Sequence, residues 1–108
     1  MAVQVVLKQQ GPLPLKATFD APGDMLMHIE VQGSVWTQTA NQMIGIDIAL
    51  DGTNIGTAQI FSNGSSTHRA VIAAYIPVKL TQGQHTLTLS ANNSVSDYND
   101  SYIAVLHY

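Results

Sequence analysis

Ile44-Gly45-Ile46-Asp47-Ile48-Ala49-Leu50, then Asp51-Gly52, then Ile55 to Phe61: this stretch decides the fold class. Apolar residues fall at every second position on the first arm, the period of a strand with one buried face. Asp-Gly between two such arms is a hairpin signal, because both turn positions need positive φ. Short alternating segments separated by Gly, Asn and Asp extend in both directions from this hairpin. The chain therefore reads as an all-β domain.

Upstream, Met25 to Trp36 predicts a long strand with Met25, Met27, Ile29 and Val31 on one face. Leu26, His28, Glu30 and Gln32 lie on the other, and Gly33 marks a bulge or bend. Ala2 to Lys8 and Leu15 to Phe19 predict two shorter strands. Downstream, Thr67 to Leu80 reads as one long strand that is apolar on both faces, so burial by the core on one side and by another subunit on the other is expected. Pro77 places its end at an edge or bulge, since proline cannot donate to a ladder. His85 to Ala91 alternates well, and Ser101 to Tyr108 is the last strand. About eight antiparallel strands at this turn spacing predict a single-domain jelly-roll β-sandwich over residues 1–108.

Composition narrows the function classes. Charged residues make up 10% of the 108 residues, against about 25% in ordinary soluble domains. Ser, Thr, Asn and Gln take their place, a surface chemistry suited to oligomer contacts or sugar-type ligands. Four Lys plus Arg against seven Asp plus Glu give a net charge of −3, and the basic residues are scattered. Nucleic acid is therefore not a partner on these grounds. Cysteine is absent, which removes disulfides and thiolate chemistry. No apolar run approaches the ~20 residues of a membrane helix. No signal peptide is read at the N-terminus. A soluble protein is expected, with its compartment open: cytosolic, exported by another route, or associated with a virion.

Several elements carry a resemblance. Trp36, Met43-Ile44-Gly45-Ile46, Leu50-Asp51-Gly52 and Gly56-Thr57-Ala58 contribute to it. So do Thr67-His68-Arg69-Ala70, Leu80 to Leu87, and Asp97-Tyr98-Asn99-Asp100-Ser101-Tyr102. Together, over roughly residues 25–108, these segments resemble bacterial and phage proteins with a jelly roll like that of tumour necrosis factor and the complement globular head. The resemblance implies a compact homotrimer that binds glycans, receptors or other proteins. One branch of that superfamily contains bacterial lectins.

Candidate site residues follow from chemistry. Asp97, Tyr98, Asn99 and Asp100 put three oxygen-bearing side chains and an aromatic in one loop. The bland explanation is a turn in which Asp and Asn bond their own backbone. Calcium is an alternative, since it is bound by clustered oxygens, with Asp51 as a further ligand if its hairpin lies near. Otherwise no cofactor or metal is expected. Trp36, beside the polar loop Thr37-Gln38-Thr39, is the best candidate for stacking on a sugar, with a core-capping role as its bland counterpart. His28, His68, His85 and His107 show no metal spacing.

No nucleophile elbow and no carboxylate pair is evident, so the chain reads as a non-enzyme. The expected function is a non-catalytic, oligomeric binding module for a carbohydrate or cell-surface target, with Trp36, Asp97, Tyr98, Asn99 and Asp100 as ligand contacts. The alternative is a structural trimer in a phage fibre, capsid or bacterial appendage. A hydrolase is a distant third, requiring His68 or Glu30 to converge with another titratable group.

Overall fold

Two antiparallel sheets, each burying the inward half of its alternating strands, make up the jelly-roll sandwich. The computed structural model describes residues 2–108. Nine strands are formed among them: β1 (Val3–Gln10), β2 (Leu15–Ala21), β3 (Met25–Val35), β4 (Gln42–Leu50), β5 (Thr53–Ser62), β6 (Arg69–Ala70), β7 (Ala74–Leu80), β8 (Gly83–Asn92) and β9 (Ser101–His107). The first sheet runs β1-β9-β3, with β7 and the short β6 both continuing along β3; the second runs β2-β8-β4-β5.

The deciding hairpin forms as read. Leu50 pairs with Thr53 across Asp51 and Gly52, whose φ angles are +51° and +86°, the positive values such a turn demands. Ile44, Ile46 and Ile48 point inward and are fully buried. Met27, Ile29 and Val31 of β3 and Leu87 and Leu89 of β8 meet them in the core. Each such side chain contributes about 1.5–3 kcal/mol on leaving water.

Three expectations change. The predicted strand from Thr67 to Leu80 is two pieces. β7 pairs Val31 with Ala74, whereas β6 pairs Ser34 with Ala70, so one extra residue sits on that side. At the break, Val71 N donates to Gly33 O on one sheet and Ile72 N donates to Gln59 O on the other. Val71 faces the core while Ile72 is 69% exposed. The irregularity assigned to Gly33 thus lies opposite it. Gly33 is there because the Tyr102 ring occupies the space a Cβ would need.

In β1, the extra residue is Val6. The bulge between Val5 and Leu7 flips the alternation, so Val3 and Val5 are exposed while Leu7 is buried. Finally, Asp51 is far from a metal-ligand role: its carboxylate accepts from Thr86 N at 2.8 Å and pairs with His85 Nδ1 at 2.6 Å, docking the hairpin turn onto β8. Pro77 does lie on an edge strand, facing His28.

Candidate functional site

Trp36 and the loop Asp97–Asp100, far apart in sequence, are joined at one end of the sandwich by a residue that alternation did not single out, His68. Trp36 directly follows β3 and is tied to Val95 by a pair of backbone hydrogen bonds of 3.0 and 2.8 Å. His68 precedes β6, which pairs with the end of β3. Its ring lies 5.8 Å from the Trp36 ring at an interplanar angle of 40°. Trp36 Nε1 is buried and has no acceptor among the described residues.

Asp100 organises the cluster. Its side chain is fully buried. One carboxylate oxygen accepts from Ser34 Oγ and from His68 Nδ1, both at 2.7 Å. The other accepts from Asp97 N at 2.9 Å. A buried carboxylate is costly unless its lone pairs are satisfied, and here they are. Asp97 in turn accepts from Asn99 N at 2.8 Å, the Asx geometry of a tight turn. Asp100, expected as a ligand contact, is thus enclosed, and it positions His68 and Asp97. Tyr98 is 75% exposed, and Asn99 is exposed beside it.

His68 lies between two carboxylates, with Nε2 at 3.7 Å from Asp97 Oδ2. The hydrogen bond to Asp100 raises its pKa above the ordinary imidazole value against the opposing desolvation, and the nearby Asp100 and Asp97 charges add to the rise. The cluster thus presents an imidazole biased towards its protonated form, an acidic side chain and two aromatic rings at one rim.

Ligand atoms of His68, Asp97 and Asp100 lie within 4.8 Å of one another, a grouping that could hold a metal ion. Calcium does not fit this donor set well. Calcium takes six to eight oxygens, whereas one member here is a nitrogen and the Asp100 oxygens already hold Ser34, His68 and the Asp97 amide. Ser34 Oγ donates to the Asp100 carboxylate and not to the His68 imidazole, so the serine–histidine contact of an activated nucleophile is not made at this cluster. Glu30 is bonded to His107 and Gln32, away from His68.

No protein-family model and no curated protein matches the chain. Solved structures do. The C-terminal domain of EclA, described as a sugar-binding protein, superposes with a TM-score of 0.55 at 15% identity, over 98% of this chain and 79% of that one. A family 35 carbohydrate-binding module from Clostridium thermocellum gives a TM-score of 0.51 at 14% identity, over 100% and 99%. A β-glucosidase from Paenibacillus barengoltzii gives 0.57 at 13% identity; 91% of this chain matches only 10% of that enzyme. At such identities the likeness establishes the β-sandwich fold alone. Among the described residues, no helix is long and apolar enough to cross a membrane.

No local sequence signal pairs His68 with Trp36. It falls directly opposite Trp36 once the Ser34–Ala70 register is extended by two residues, and that register exists only after the break at residues 71–73.

Proposed function

We propose that this protein is a non-catalytic carbohydrate-binding module whose contact surface is the rim formed by Trp36, His68, Asp97 and Tyr98. The observation that carries the reading is the convergence of an aromatic ring, an acid-paired imidazole and an exposed tyrosine at one end of the sandwich. Aromatic faces cover the apolar side of a sugar ring, and the charged and polar groups accept and donate to its hydroxyls. The fold's likeness to a sugar-binding domain and a carbohydrate-binding module supports the same class.

A glycan-array screen tests this, with Trp36→Ala and Asp97→Ala in parallel. Selective binding that both variants lose supports the rim. Binding that both retain moves the site elsewhere, and no binding by the folded wild type removes the reading.

A second reading concerns assembly. Met43 and Phe61, directly paired across β4 and β5, are each nearly half exposed, and Ile72 is 69% exposed on the chain that bonds to Gln59. Such a patch favours self-association. The homotrimer implied by the tumour-necrosis-factor-like resemblance would bury it, and three rims on one body would bind by avidity. A structural fibre or appendage component would use the same assembly without a sugar.

A further inference from the structure

The outward face of the first sheet continues from the Trp36 rim. Along β3 the outward residues are Leu26, His28, Glu30, Gln32 and Ser34, and Trp36 prolongs the row. Over Gln32 and Ser34 lies an open groove of about 410 Å³, also lined by Lys8, Ala70, Ser101 and Ile103. Past its far end, opposite Glu30, stands Tyr75. Tyr75 is 51% exposed yet firmly held. Its ring stacks on His28 at 4.6 Å and 12°, and meets the His107 ring edge-on at 5.3 Å. His107 is fastened by Glu30 at 2.8 Å, and Glu30 by Gln32 at 2.6 Å.

We infer that this groove binds an extended, uncharged oligosaccharide, running along β3 from the Trp36–His68 rim to a second aromatic platform at Tyr75. The inference rests on the proposed sugar-binding function and names its substrate class: internal segments of a linear chain, not a single terminal sugar.

Length supports it. From the level of Trp36 to that of Glu30, opposite Tyr75, is six residues, about 20 Å at ~3.3 Å per strand residue. That exceeds one sugar ring and suits several linked ones. Charge supports it too. The groove offers an amide, two hydroxyls and apolar patches, with Lys8 its one charged lining group; the Glu30 charge is engaged by His107 and Gln32. This lining matches a neutral polyol and neither a polyanion nor a polycation. Preorganisation supports it as well. The Tyr75 ring is held by two neighbours before any ligand arrives, which lowers the ordering cost of binding. The groove is also tied to the rim, because Ser34, in its lining, donates to the Asp100 that holds His68.

Calorimetric titration with cello- and xylo-oligosaccharides, from monosaccharide to hexasaccharide, tests the inference. Wild type, Tyr75→Ala, Gln32→Ala and Trp36→Ala are compared, each first checked for an unchanged circular dichroism spectrum. The expected result is that wild-type affinity in one series rises with chain length. Tyr75→Ala should bind the hexasaccharide about tenfold more weakly, the size of one lost aromatic contact, while its binding of the shortest ligands is unchanged. Gln32→Ala should lose part of the same gain, and Trp36→Ala should weaken every length. If the monosaccharide binds as tightly as the hexasaccharide, or if the length gain survives in Tyr75→Ala, the groove is overturned while the rim stands. If the wild type binds no member of either series, the inference and the sugar reading of the rim fail together for neutral linear glycans.

Discussion

His68 Nδ1 donates to the carboxylate of Asp100 at 2.7 Å, so the orientation of an exposed ring at the rim is dictated by a fully buried residue.

Removing that carboxylate should be expensive. Asp100→Ala leaves Ser34 Oγ, His68 Nδ1 and the Asp97 amide without their acceptor in an enclosed space. A loss of about 3 kcal/mol is expected from unmaking a buried charged network. Asp97→Ala, at a partly exposed position, should cost far less. Urea denaturation of the two variants checks this; equal stabilities would show that the Asp100 network contributes nothing.

The Gly33–Tyr102 pairing makes a second prediction. An added Cβ at residue 33 would collide with the Tyr102 ring, and Ile46 closes the same space. Gly33→Ala should therefore destabilise by about 2 kcal/mol through overpacking. The hydroxyl of Tyr102, pushed up to about 12 by burial, should stay protonated throughout. A melting midpoint for Gly33→Ala equal to the wild type's would refute the packing account.

Stability should also depend on pH in a defined direction. His68 is raised chiefly by its bond to Asp100, and His85 by its bond to Asp51. Groups whose folded pKa exceeds the unfolded value stabilise fully below about 6.5, and that contribution disappears as pH rises through the folded pKa. Asp51 and Glu30 are lowered, by His85 and by Gln32 with His107 respectively. Their contribution is present above about pH 4 and is lost as pH falls further. The melting midpoint should peak between about pH 4 and 6.5 and fall on both sides. His68→Gln with His85→Gln should flatten the alkaline limb; an alkaline limb unaltered in that double variant would exclude both imidazoles.

Metal and assembly yield one expectation each. Because the Asp100 oxygens are already engaged, adding calcium should leave the melting midpoint where it was, whereas a bound ion would raise it by mass action. Light scattering should show an oligomer that Phe61→Ser and Ile72→Ser together reduce to a monomer. A wild-type monomer at micromolar concentration would end the assembly reading.

Much of the architecture was readable from local signals. Alternation along Ile44 to Leu50 and Met27 to Val31 is imposed by the two-residue period of a strand, and positive φ at Asp51 and Gly52 follows from what those residues tolerate. Where alternation slips, parity no longer gives the face. Val5 and Leu7 have the same parity but opposite faces, since one bulged residue costs little locally and is chosen by pairing with β9. The strand through residues 71–73 broke for a similar reason: its two halves serve β3 in different registers.

By itself, then, the sequence determined the all-β class, the central hairpin, the inward faces and a surface poor in charge. These depend on periodicity and on the conformational range of single residues. Tertiary structure alone decided that Asp100 is buried, that His68 bridges it to Trp36, and that Tyr75 stands in line with them along β3. Each of those facts joins side chains from separate strands, and such contacts are set by sheet order and register, which no local pattern encodes.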